Sequence, residues 1–136
     1  MDWSEVDPKD RLAGIIAVAL ASTKPLVVMG DLNGRTGSWV TCNGSPVRSS
    51  SDPKTNSRGS WIRDLCKENR LDIINGTSYE SSSPGKLTSF QLNGSSVINY
   101  VLVSTSALPL LRDGCLSIVK SQLSDHASLQ LTLPFT

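Results

Sequence analysis

Leu26-Val27-Val28-Met29-Gly30-Asp31-Leu32-Asn33 is the stretch whose reading decides the fold. Pro25 precedes a wholly apolar run, and Gly30 with two polar residues ends it. A run of this length is too short for a helix and reads as a strand buried on both faces. Just upstream, Leu12, Ile15, Ile16, Ala19 and Leu20 recur at helical spacing. The spacing predicts a helix over Asp10 to Ser22, stopped before Pro25.

Downstream, Gly30 to about Ser57 is rich in Gly, Ser, Pro and Asn and reads as a long loop, of the kind that carries function. Trp61, Ile62, Leu65 and Cys66 then share one face of a second predicted helix, Ser57 to Asn69, with charged residues filling the other positions. Trp61 and Tyr100 read as core. Leu71 to Ile74 is a predicted strand closed by Asn75-Gly76, and Ser81 to Gly85 a turn. Leu87 to Leu92 and Ser96 to Val103 are expected to form a hairpin through Asn93-Gly94, a favoured turn pair. Leu116 to Val119 and Ala127 to Leu133 complete the strands. This order predicts an α/β fold, a mixed β-sheet with helices on one face. Helices on one face leave the other to be covered by something else.

The length of 136 residues suits one domain over 1–136. A net charge of +1 gives no strong field, which argues against a binder that holds nucleic acid by charge alone. Cys42, Cys66 and Cys115 are widely spaced with no CxxC pair, so a zinc knuckle is not expected. Cys66 falls in the apolar pattern of a helix, and three unpaired thiols suggest a reducing compartment. Asn43, Asn75 and Asn93 each begin an N-x-S/T sequence, a pattern that arises easily in a chain this rich in Ser and Asn. The opening residues are acidic and polar, unlike a signal peptide, and Leu12 to Leu20 is too short to span a membrane. An intracellular location, nuclear or cytoplasmic, is therefore expected, with no membrane partner.

Two polar tripeptides carry the chemistry. Asp31-Leu32-Asn33 ends one apolar run, and Ser124-Asp125-His126, with the only histidine, precedes another. Asp can hold a divalent metal or steer a water, Asn can hold a phosphate oxygen, and His can carry a proton near neutral pH. Together they fit metal-assisted phosphoester hydrolysis. As plain structure, the same residues would be turn formers and caps.

The stretch from Val28 to Gly37, Val-Met-Gly-Asp-Leu-Asn-Gly-Arg-Thr-Gly, resembles the strand end of the endonuclease/exonuclease/phosphatase superfamily. Asn56-Ser57-Arg58-Gly59 through Cys66, and Leu71 to Gly76, resemble the helix and strand that follow there. Thr88-Ser89-Phe90 and Ser95 to Ser104 resemble the next segment of that family, and Ser124-Asp125-His126 is similar to the closing motif. Each motif alone is weak, but the ordered set over about 10–135 is specific. It looks most like the apurinic-type endonucleases of non-LTR retrotransposons.

The resemblance implies roles. Asp31 would orient water or act as base and share the metal. Asn33 would hold a phosphate oxygen. Asp125 would help bind Mg²⁺, with Mn²⁺ as the alternative at an all-oxygen site. His126 would donate to the scissile phosphate. Arg35 and Thr88 would contact phosphate or nucleic acid, DNA ahead of RNA. At Asn99 the family carries an Asp hydrogen-bonded to the histidine; here the support is an amide. The resemblance also implies that these motifs form the C-terminal half of a four-layer α/β sandwich. In that family the other half supplies an Asn, the main metal-binding Glu, and a Tyr or His. Glu5, Glu68 and Glu80 fall in no matching context. A homodimer or a complementing chain over the open sheet face is the expected partner. A nuclease-derived binding domain with impaired catalysis is the second expectation.

Overall fold

The computed structural model describes residues 7–39, 48–81 and 84–134. Among these residues two α-helices, a 3-10 helix and seven short strands form an α/β arrangement, and every ladder is antiparallel. Cys42, Glu5, the Asn43 sequon and Ser82-Ser83 of the expected turn lie outside the described residues.

Helix α1 runs Pro8–Leu20, two residues ahead of its predicted start. Asp7 accepts the Lys9 N–H at 2.9 Å, and Pro8 supplies a preset φ in the first turn. The Ser22 hydroxyl donates to the Ala19 carbonyl, which helps end the helix early. Strand β1 is Val27–Asp31. Helix α2 is Ser57–Asn69, as its pattern predicts, capped by Asn56 and closed by Arg70 in a left-handed conformation. Strand β2 is Leu71–Ile73; β3, Ser89–Gln91, and β4, Gly94–Ser96, form a hairpin, but its turn is Leu92-Asn93, one residue ahead of the expected Asn93-Gly94, because Gly94 pairs with Gln91 as the first residue of β4. Strand β5 is Asn99–Ser104, and a 3-10 helix, Thr105–Leu110, follows it. Strands β6, Leu116–Val119, and β7, Ser128–Leu131, pair as a ribbon.

Strand β5 is central, in the order β1-β5-β2. Alternate residues feed two cores. Tyr100 and Leu102 face α1 and α2, where Ile16, Ile62, Leu65, Cys66, Leu71 and Ile73 are buried. Val101 and Val103 face the opposite way, onto Ile74, Ala107, Leu111, Cys115, Leu116 and Ile118. The second face of the sheet is thus covered by the 3-10 helix and the β6–β7 ribbon of the same chain. This corrects the expectation of an open face. It also removes the packing argument for a second chain there. Strand β1 is an edge rather than a doubly buried strand: it pairs only with β5, and Met29 is 43% exposed.

The expected strand Ser96 to Val103 breaks at Val97-Ile98. The N–H of Val97 goes to the Asp52 carboxylate at 3.0 Å. Those of Ile98 and Asn99 both go to the Thr88 hydroxyl, at 2.9 and 3.0 Å. Three successive amides are satisfied by side chains instead of a ladder, and the chain turns a corner into β5.

Glycines let the 48–51 segment lie close to its neighbours. A Cβ on Gly76 would fall 1.9 Å from the Ser49 carbonyl oxygen. Buried Glu80 accepts N–H bonds from Gly76, Gly85 and Lys86, and so fixes the backbone around that segment. Among the described residues no helix is long and apolar enough to cross a membrane.

Candidate functional site

The last residue pair of the β1–β5 ladder is Asp31 with Asn99. Cross-strand partners share a face, so both side chains stand at one end of the sheet, on the side facing the β6–β7 ribbon. The segment around His126 is brought there by β3. Phe90 donates its N–H to the Asp125 carbonyl at 2.7 Å, and Ala127 to the Thr88 carbonyl at 2.8 Å. Ser89 and His126 form an isolated antiparallel bridge between those bonds.

His126 Nδ1 lies 3.0 Å from Asn99 Oδ1. An amide oxygen only accepts, so Nδ1 carries the proton and Nε2 is the ring atom left to act outward. Asp125 Oδ1 stands 3.9 Å from Nε2. Its Oδ2 accepts from Gln91 Nε2 at 2.8 Å. Sequence reasoning misses Gln91, because a solvent-facing Gln on a hairpin strand carries no signal for that bond. Asp31 Oδ1 accepts the Asn33 N–H at 2.8 Å, an Asx turn that holds Asn33 at φ 54°. Asp31, Asn33 and Asp125 are exposed and His126 is half-buried.

Asn99 is itself held from two sides. Its N–H meets Thr88, and its carbonyl accepts from Asn75 Nδ2 at 2.9 Å. Asn75 Oδ1 in turn accepts the Val101 N–H at 2.9 Å. Asn75 therefore works as an inward structural amide, 1% exposed, and not as a glycosylation site.

Of the two expected phosphate contacts, Thr88 is corrected by its burial, and Arg35 is engaged by a carboxylate. Thr88 is fully buried, and its hydroxyl is the acceptor for two backbone amides, so it positions Asn99 and does not reach solvent. Arg35 grips Asp52 through Nε and Nη2, both at 2.8 Å. Burial pushes the Asp52 carboxyl up, but the Arg35 fork and the Val97 and Lys54 amides outweigh it and hold the group below the usual carboxylate range. The same bond raises the Arg35 guanidinium further above its ordinary value. Arg35 is the anchor of the loop after Asn33. Its N–H meets Asn56 Oδ1 at 3.0 Å, the oxygen that also caps α2 through Gly59. Tyr100 adds a second anchor: its hydroxyl takes the Thr36 N–H at 3.2 Å and reaches the Gly34 carbonyl at 2.8 Å.

Glu80, Glu68 and Cys66 stand outside the site: Glu80 is buried in its cradle of amides and Glu68 lies exposed on α2. Burial, with the Asp72 carboxylate nearby, pushes the Cys66 thiol up to about 12, so it stays protonated and inert. Cys66 and Cys115 are free thiols.

Among the described residues no group of three or more His, Cys, Asp or Glu side chains is placed to hold a metal. Mg²⁺ commonly takes only one or two carboxylates and fills its shell with waters and substrate phosphates. Among the described residues Asp31 Oδ2 has no protein donor, and Asp125 Oδ1 meets only the histidine ring. No family model matches the chain, and neither a curated protein nor a solved structure matches it.

Proposed function

We propose that this chain carries a metal-dependent phosphodiester-hydrolysing site for nucleic acid, of the endonuclease/exonuclease/phosphatase kind. DNA stands ahead of RNA as substrate. The observation that carries the reading is the convergence of Asp31, Asn99 and His126: a cross-strand pair and a 3.0 Å bond join residues from three distant parts of the chain.

Asp31 would orient the attacking water with its free oxygen, while its Asx turn keeps Asn33 beside the phosphate. His126, oriented by Asn99, would, as the doubly protonated ring, donate its Nε2–H to a phosphate oxygen and stabilise charge that grows in the transition state. Asp31 and Asp125 would hold Mg²⁺ or Mn²⁺ together with substrate phosphate oxygens, and the ion would supply charge neutralisation. The lone pair of carboxylates and the half-sandwich expectation both suit a weak site that gains its full donor set from further residues.

One observation favours a second reading, a nuclease-derived binding domain with impaired catalysis. Behind His126 stands an amide, which fixes the tautomer but does not stabilise an imidazolium as a carboxylate would. Incubation with supercoiled plasmid separates the readings. Nicking in Mg²⁺ that vanishes in EDTA and in the Asp31→Ala, His126→Ala double variant is expected. Binding without nicking would leave the second reading, and nicking that persists in the double variant would sink the proposed site.

A further inference from the structure

The first turns of α1 and α2 meet at an open cleft beside the proposed site. Its lining includes Lys9, Leu12, Asp31, Asn33, Arg58 and Trp61. Lys9 and Arg58 have no carboxylate within ion-pair distance among the described residues. Arg58 stands over the Trp61 ring, 6.0 Å from its centroid. Trp61 packs against the core with part of its surface open. Both cations sit in first helical turns, where the aligned peptide dipoles also favour an anion.

Arg35, the cation that the sequence placed at a phosphate, is engaged by Asp52. A nucleic-acid strand crossing Asp31 and Asn33 needs its next phosphate neutralised by something else. We infer that the Lys9–Arg58 cleft is a flanking-nucleotide subsite for a nucleic-acid strand. Its two cations take the phosphate next to the scissile one, and Trp61 offers an aromatic surface to the adjoining sugar or base. The inference rests on the proposed hydrolytic site for its direction along the strand, since Asp31 and Asn33 line both. It also explains how a chain with a net charge of only +1 would hold a polyanion: by two placed cations rather than a broad field.

The test uses a short fluorescein-labelled single-stranded DNA oligonucleotide in EDTA, with anisotropy titrations at several salt concentrations. The Lys9→Gln, Arg58→Gln double variant is expected to weaken binding and to lower the slope of log affinity against log salt by about 0.7, for the one phosphate no longer neutralised. Arg58→Lys should recover part of the slope, and Lys67→Gln, on the exposed face of α2, should match the wild type. Wild-type affinity and slope in the double variant overturn the subsite, whether or not plasmid is nicked. Absence of oligonucleotide binding by the wild type overturns it too. A lowered slope in a protein that never nicks plasmid keeps the subsite and removes the hydrolytic reading.

Discussion

His126 and Asn99 meet through Nδ1 and Oδ1 at 3.0 Å, so the only histidine of the chain is oriented by a neutral amide. The amide fixes which ring nitrogen bears the proton, and therefore which one faces the phosphate. It contributes little to keeping the ring protonated. Orientation and charge, which a carboxylate would supply together, are separated here.

Asn99→Asp restores the charge. An opposite charge at hydrogen-bond distance favours the protonated ring, so the His126 titration followed by NMR should move to higher pH than in the wild type. With a single histidine the resonance is unambiguous. Nicking near neutral pH should rise about tenfold, a small part of the 10²–10⁴ that a positioned acid contributes. An unmoved titration would mean that the contact does not form in solution.

Thr88→Val separates positioning from phosphate contact. Valine keeps the shape but leaves the Ile98 and Asn99 amides without their shared acceptor. The expected cost is about 1–3 kcal/mol, the penalty for buried unsatisfied donors, read from urea unfolding. Thr88→Ser keeps the hydroxyl and should recover most of it. A phosphate contact would instead lower oligonucleotide affinity with stability intact.

Much of this is legible in the sequence, for reasons that can be named. Helix α2 follows its apolar face and its Asn56 cap, both local signals. The β3–β4 hairpin is legible near Asn93-Gly94, but its turn falls one residue earlier, on Leu92-Asn93. The ordered motifs mark Asp31, Asn33, Asn99, Asp125 and His126 as one cluster, and the fold does place Asp31, Asn99 and His126 together. What is not legible is side-chain substitution for backbone pairing. The run Val97 to Val103 looks like one strand because hydropathy does not reveal that Thr88 and Asp52 will take its first amides. The same blindness assigns Arg35 to a phosphate, because Asp52 lies 17 residues away in a loop with no periodicity. The covered second face escapes notice because the 3-10 helix Thr105–Leu110 has no amphipathic pattern long enough to read.

Two glycines on helices should respond to alanine in opposite ways. A Cβ on Gly59 would fall 1.7 Å from the Arg35 carbonyl oxygen, so α2 and the loop after Asn33 would have to separate. Gly59→Ala should cost at least about 1–3 kcal/mol, the usual range for forced overpacking, and should disturb nicking through Asn33. A Cβ on Gly14 would meet nothing within 4 Å on exposed α1. Gly14→Ala should therefore stabilise by about 0.5–1 kcal/mol, through helix propensity and the unfolded chain. Equal midpoints for the two variants in urea would refute the close approach at Gly59.

Asp52 gives the acid limb of stability a specific origin. Its folded value lies below the ordinary 3.8 because the Arg35 fork and two amides favour the carboxylate more than burial disfavours it. A depressed folded value means that the unfolded chain binds the proton first as pH falls. The stabilisation is thus fully present above 3.8 and is lost as pH drops through the lower folded value. Asp52→Asn keeps the shape and removes the charge, so it should cost about 1.5–3 kcal/mol at neutral pH, the range for hydrogen bonds to charged groups. The gap between wild type and variant should stay level down to about pH 4 and narrow below it. Because Asp52 also takes the Val97 N–H, the variant should loosen the corner that leads to Asn99, and nicking should fall with stability. Urea unfolding across that pH range reads the result. A gap that stays constant into strong acid would show that the Arg35–Asp52 pair does not set the limb.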